Sequence, residues 1–191
     1  METATNKRED ILEAALVLFA ERGFDATTIP MIATKANVGA GTIYRYFVNK
    51  ETLMNQLFRE YVTRFLETLR SGYPDNGTCR QQFSHIFNSM VRFTLDNEHA
   101  LYFIKTHNRP RVLDEESLAL YQELLDFTRD FFEAGIEMGK IRRMPANALI
   151  AIVFGAFIQL HQLVREGAVE ETIELLRDYE ESCWDAVRAH E

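Results

Sequence analysis

A chain of 191 residues has room for one well-buried core, or for a small module joined to a larger one. With 47% hydrophobic and 12% aromatic residues it is not a disordered chain. The net charge of −8 excludes a uniformly basic nucleic-acid binder, but it is unevenly spread: residues 1–50 hold six basic and six acidic side chains, and residues 51–191 carry the whole excess.

Taken in chain order, nearly every segment has helical period. The first helix is predicted from about Lys7 to Arg22, with Ile11, Leu12, Ala15, Leu18 and Phe19 on one face and Gly23 as its stop. Thr27-Thr28 offers an N-cap for a second helix, with Pro30 in the first turn and an end near Ala36. Asn37-Val38-Gly39 breaks the pattern, and a short third helix follows over about Ala40–Tyr46. Asn49 can cap a long fourth helix striped by Met54, Phe58, Tyr61, Phe65 and Leu69. The loop from Ser71 to Gly77 precedes further helices near 78–96, 98–107, 114–138, 145–167 and 169–189. The expected fold is all-α, with about nine helices: an N-terminal three-helix helix-turn-helix domain (1–50) and a larger C-terminal helical bundle domain (51–191).

Helices two and three, joined through Gly39, have helix-turn-helix dimensions. A reading helix must be short enough for its N-terminal residues to enter the major groove. Thr42, Tyr44, Arg45 and Tyr46 would present hydroxyls and a guanidinium outward while Ile43 and Phe47 face inward, and Gly41 would allow close approach of a DNA backbone. Arg45 is the best candidate for a bidentate contact to guanine. Lys50, at the start of the fourth helix, is expected to hold a phosphate.

The stretch Ile11–Leu57 (ILEAALVLFAERGFDATTIPMIATKANVGAGTIYRYFVNKETLMNQL) resembles the DNA-binding domain of the tetracycline-repressor family. Gly23-Phe24 before Ala26-Thr27-Thr28, the Ile32-Ala33 pair and GTIYRYFVNKETL all fall at that family's spacing. EAGIEMGKI (Glu133–Ile141) is similar to its entry into the dimerising helices. The resemblance implies a ligand-responsive regulator, a repressor released from a palindromic operator, with DNA contacts at Thr28, Thr42, Tyr44, Tyr46 and Lys50. Ala40 and Gly41 depart from it, standing where some members place longer polar side chains. Base reading is therefore expected to rest on Thr42, Arg45 and Tyr46.

The resemblance also implies a ligand cavity among four helices, on which Phe58, Phe93, Phe127 and Phe154 lie. His107, Gln159 and His161 are the nearby polar candidates. Such phenylalanines serve equally as ordinary core, so both roles stay open. The aromatic lining points to a small hydrophobic or aromatic effector, a lipophilic cation included. In the last helix Ile173, Leu176, Tyr179, Cys183 and Val187 form one apolar stripe, and the preceding helix offers Val153, Phe157, Leu160 and Val164. The family arrangement makes these a four-helix homodimer interface, and a palindrome read by two heads calls for the same dimer.

No catalytic motif, phosphate loop or zinc spacing is present, so neither an enzyme nor a bound metal or cofactor is expected. Cys79 and Cys183 suit reduced thiols. The longest apolar run, Ala148–Ile158, has 11 residues and METATNKRED lacks a signal-peptide core. A cytoplasmic protein without a membrane segment is therefore expected. The rival readings are an activator with the same DNA chemistry, and a helical drug- or lipid-binding protein that has lost DNA binding.

Overall fold

The computed structural model describes residues 4–108 and 110–190; Met1–Thr3 of the N-terminal segment lie outside them. Nine helices occur among the described residues: α1 (Ala4–Ala26), α2 (Ile29–Lys35), α3 (Ala40–Tyr46), α4 (Lys50–Arg70), α5 (Cys79–Asp96), α6 (Ala100–Thr106), α7 (Glu115–Glu137), α8 (Ala146–Arg165) and α9 (Ile173–Val187). By packing the chain divides into two compact units. The first runs to Glu67 and resumes over Phe93–Gln122; the second comprises Thr68–Arg92 and Glu123–Glu191. The divisions fall inside α4, α5 and α7.

The first unit is built on α1. Its apolar face, Ile11, Leu12, Ala15, Leu18 and Phe19, is buried throughout. Gly23 interrupts the helix at φ 78°, ψ 170°, a left-handed value open to glycine and costly for other residues. Thr28 holds the extended N-cap backbone of α2, but its side chain makes no capping bond. The neighbouring Thr27, fully buried, donates its hydroxyl to the carbonyls of Leu18 (3.1 Å) and Gly23 (2.8 Å). Asn37, at φ 53°, ends the α2 turn. Asn49 caps α4 as predicted, its Oδ1 accepting from the Thr52 amide at 2.7 Å.

Around this frame the core is aromatic. Phe19 stacks on Phe24 (5.9 Å) and Phe103 (6.3 Å), and Phe58 meets Phe103 (6.1 Å) and Tyr121 (5.9 Å). A polar knot joins α4 to the segment that opens α7. Buried Asn55 donates to the Val112 carbonyl (3.1 Å) and accepts from the Asp114 amide (2.8 Å). Arg59 reaches both oxygens of Asp114 (3.0 and 2.9 Å), while Asp114 also accepts from the Ser117 amide at 2.9 Å.

In the second unit Phe87 meets Phe157 edge-on (5.4 Å), and Phe83 packs on Phe131 and Trp184. Arg80 lies against Trp184 and donates to the buried Glu180 carboxylate from both terminal guanidinium nitrogens, Nη1 and Nη2. Gly135 explains part of the EAGIEMGKI motif: a Cβ there would stand 2.4 Å from the Ile141 side chain, which folds back over α7. Ile141 and Arg188 form an isolated antiparallel bridge, tying the end of α9 to the turn before α8. The last helix starts later than predicted. Thr172, in extended backbone, caps it by accepting from the Leu175 amide at 3.1 Å, so 169–172 is not helical.

Candidate DNA-reading face and the expected ligand and dimer sites

The third helix has seven residues, and its apolar ones anchor it. Ile43 inside it and Phe47 just after it are buried, and the Arg8 guanidinium lies 5.9 Å from the Phe47 ring centroid. Thr28, Tyr44 and Arg45 are exposed, Tyr44 at 57%, and Thr42 and Tyr46 are half-buried. Gly41 is exposed and a side chain there would meet open space, so packing does not require a glycine. Val48, between α3 and α4, is 81% exposed. The sequence pattern gave no role to it.

Lys50 opens α4 as expected. Its ammonium turns inward and donates to the carbonyls of Phe24 and Thr27, both at 2.8 Å, while lying 4.1 Å from the centre of the Phe24 ring. Two of its three N–H groups are thus spent on the protein itself.

The residues expected to line a ligand cavity fall into two sets. In the first unit Phe58 and Phe93 are buried, Phe93 lying 4.8 Å from Phe65. His107 is buried beside Phe103 (4.9 Å) and Phe19 (6.1 Å), its Nδ1 within hydrogen-bond distance of the Phe103 carbonyl and the Thr106 hydroxyl. In the second unit Phe127, Phe154 and His161 are half-buried; Phe127 meets Tyr73 edge-on at 5.2 Å and His161 lies parallel to Phe157 at 6.4 Å. Two clefts, of about 490 and 640 Å³, open on the first unit. Charged groups such as Lys7, Asp10, Glu13 and Glu60 line them, and none of those residues does. Tyr61 in the larger cleft has its phenol pKa raised by burial.

The expected dimer residues also divide. Phe157, Leu160 and Cys183 are buried by their own chain, and burial pushes the Cys183 thiol up to about 11. Those three therefore belong to the core of the second unit, because a stripe at helical spacing does not say which neighbour covers it. Val164, Leu176 and Tyr179 are half-buried, Tyr179 donating to the Ala156 carbonyl at 2.9 Å, and Ile173 is 83% exposed. α8 itself exceeds the expectation drawn from uninterrupted runs. Its mean hydropathy is 1.7, long and apolar enough by length and composition to cross a bilayer, yet only 28% of that stretch is buried.

Comparison with known proteins bears directly on this arrangement. Residues 11–57 match the model of bacterial regulatory proteins of the tetR family, and residues 58–189 match the tetracyclin repressor-like C-terminal domain. Among curated relatives, the uncharacterized HTH-type transcriptional regulator YvkB of Bacillus subtilis is 30% identical over 166 residues, 82% of this chain and 84% of that protein. The fatty acid metabolism regulator protein of the same organism is 24% identical over 174 residues, 87% of this chain and 81% of that one. A TetR family transcription regulator from Marinobacter aquaeolei superposes with a TM-score of 0.81 at 22% identity, covering 97% of each chain.

Proposed function

The chain belongs to the tetR family of bacterial transcriptional regulators, and from that premise we propose that it is a homodimeric repressor released from a palindromic operator by a small hydrophobic or aromatic effector. The observation that carries the DNA half is α3. Its apolar residues are spent on anchorage, so that Tyr44 and Arg45 stand free for a groove. Residues 1–50 form the reading head in this proposal and residues 51–191 the ligand-binding and dimerising body. Thr28, Thr42, Tyr44, Arg45, Tyr46 and Lys50 make the contacts, with Arg45 on guanine and Lys50 on a phosphate through the N–H left beyond its two carbonyl bonds. Relatives named as repressors, such as KstR2 of Rhodococcus jostii at 25% identity, favour repression over activation.

For the dimer, support comes from α8 and the start of α9, where apolar surface exceeds what the chain covers. For the effector, support comes from the aromatic residues themselves and from relatives named for fatty acid regulation. Switching would use α4, which is bonded to the end of α1 through Lys50 and to the start of α7 through Asn55 and Arg59. Coupling of about 1–3 kcal/mol would change operator affinity roughly 5- to 150-fold.

The test is a titration of the protein–operator complex with compounds found by thermal shift to stabilise the free protein. Release of the DNA by an apolar compound supports the reading. Stabilisation by hydrophilic metabolites alone contradicts the effector class, and binders that leave operator affinity unchanged contradict the switch.

A further inference from the structure

Gly41 lies inside α3 without a left-handed φ, so its backbone conformation is open to any residue. Packing does not call for glycine either, since a side chain there would meet open space. Yet a glycine within a helix destabilises it relative to alanine. The residue is exposed, and Arg45 stands four positions on, hence on the same face of the helix. Its neighbours bring no hydrogen-bonding side chain: Gly39 and Ala40 precede it, and α3 has no side-chain cap. The start of α3 is thus bare backbone and one methyl group, a single turn before a guanidinium. Of the groups that base edges present in a major groove, the apolar one is the C5-methyl of thymine. Polar edges set against this patch find no side chain to pair with.

Resting on the DNA-binding reading above, we propose that Gly41 is a specificity-determining residue: its missing side chain leaves room for a thymine methyl, which packs against Ala40 and the Gly41 backbone. This adds to the head a second base, read by shape and apolar contact beside the guanine read by Arg45. Four residues of helix advance about 6 Å and base pairs stack about 3.4 Å apart, so the thymine falls within about two base pairs of that guanine.

The experiment uses the full-length protein and a duplex selected from a random-sequence pool, with fluorescence anisotropy as the readout. Each thymine of a half-site is replaced in turn by uracil, which keeps the base pair and removes only the methyl. One such change, within about two base pairs of the guanine whose preference relaxes in Arg45→Ala, should weaken binding about fourfold, the worth of one buried methyl. Gly41→Ala should bind the thymine duplex about tenfold more weakly, while its unfolding midpoint stays level or rises. The two changes should then compensate. Gly41→Ala binds the uracil duplex more tightly than the thymine duplex, reversing the parent's order, because the added methyl takes the space of the missing one. A half-site with no thymine in that window, or uracil binding as well as thymine at every position, overturns the proposal. So does a variant that keeps the parent's preference for thymine, and so does a lowered midpoint, which would give the glycine a role in the fold. Failure of the parent protein to bind any duplex refutes the regulator reading, and this proposal with it; the flat parent curve identifies that case.

Discussion

Two helices of this chain use apolar residues in opposite ways. The seven-residue α3 has just enough of them, Ile43 within it and Phe47 at its end, to be held down, and every other side chain is left polar, small or exposed. The twenty-residue α8 buries one set of apolar residues and leaves Ile150, Ile152, Phe154, Leu163 and Val164 only half-covered by its own chain. A helix anchored by a minimum of hydrophobic contacts offers its chemistry to a polar, charged partner. A helix with apolar surplus needs another apolar surface. The first pattern suits a groove of DNA and the second a copy of itself, which is the division of labour proposed for the family's two ends.

Removing the anchor should have the largest effect. Phe47→Ala is expected to destabilise the protein by about 3–5 kcal/mol, seen as a lower urea midpoint, because the ring is fully buried. If α3 were instead a loosely attached corner, the loss would be well under 1 kcal/mol. Next comes the partner side of the same helix. Arg45→Ala should leave the urea midpoint unmoved but cost about 1–3 kcal/mol in operator affinity, with relaxed preference at one base pair. Equal weakening on all sequences would make Arg45 a phosphate contact. On the other side of the comparison, Ile173→Glu combined with Leu176→Glu should raise the dimer dissociation constant at least tenfold, about 1.4 kcal/mol, in sedimentation equilibrium. An unchanged constant would show that this end of α9 is not at the interface.

The smallest effect concerns the knot at the start of α7. Burial alone would raise the Asp114 pKa, but hydrogen bonds from Ser117 and Arg59 outweigh it and hold the carboxyl below its ordinary value of 3.8. A group with a depressed folded pKa contributes stability above its unfolded pKa and loses it as pH falls through the folded one. Stability should therefore decline slightly more below about pH 4 in the parent than in Asp114→Asn. The carboxylate is half exposed, so solvent screening keeps this difference small.

Most of the head was legible because local chemistry marks its corners. Gly23, Pro30, the break at Asn37–Gly39 and the Asn49 cap bracket four helices within a few residues of where they lie. The inward and outward residues of α3 followed from its period alone. What period and spacing do not encode is the far end of a side chain. Lys50 finds carbonyls 23 and 26 residues upstream, a contact set by how α1 meets α4. The choice of Thr27 over Thr28 as the buried hydroxyl depends likewise on the Gly23 kink, which aims one of them at Leu18. In the body the apolar stripes were visible, but their partners were not. Cys183, Phe157 and Leu160 share a pattern with exposed Ile173 and are nonetheless covered by their own chain.

Binding of the purified protein to its own upstream region, by fluorescence anisotropy at two salt concentrations, tests the reading of α3 most directly. Tight binding that resists unrelated competitor DNA and weakens with added salt is the expected result. No binding at low salt, either to that region or to duplexes selected from random pools, would contradict it and leave a helical ligand-binding protein.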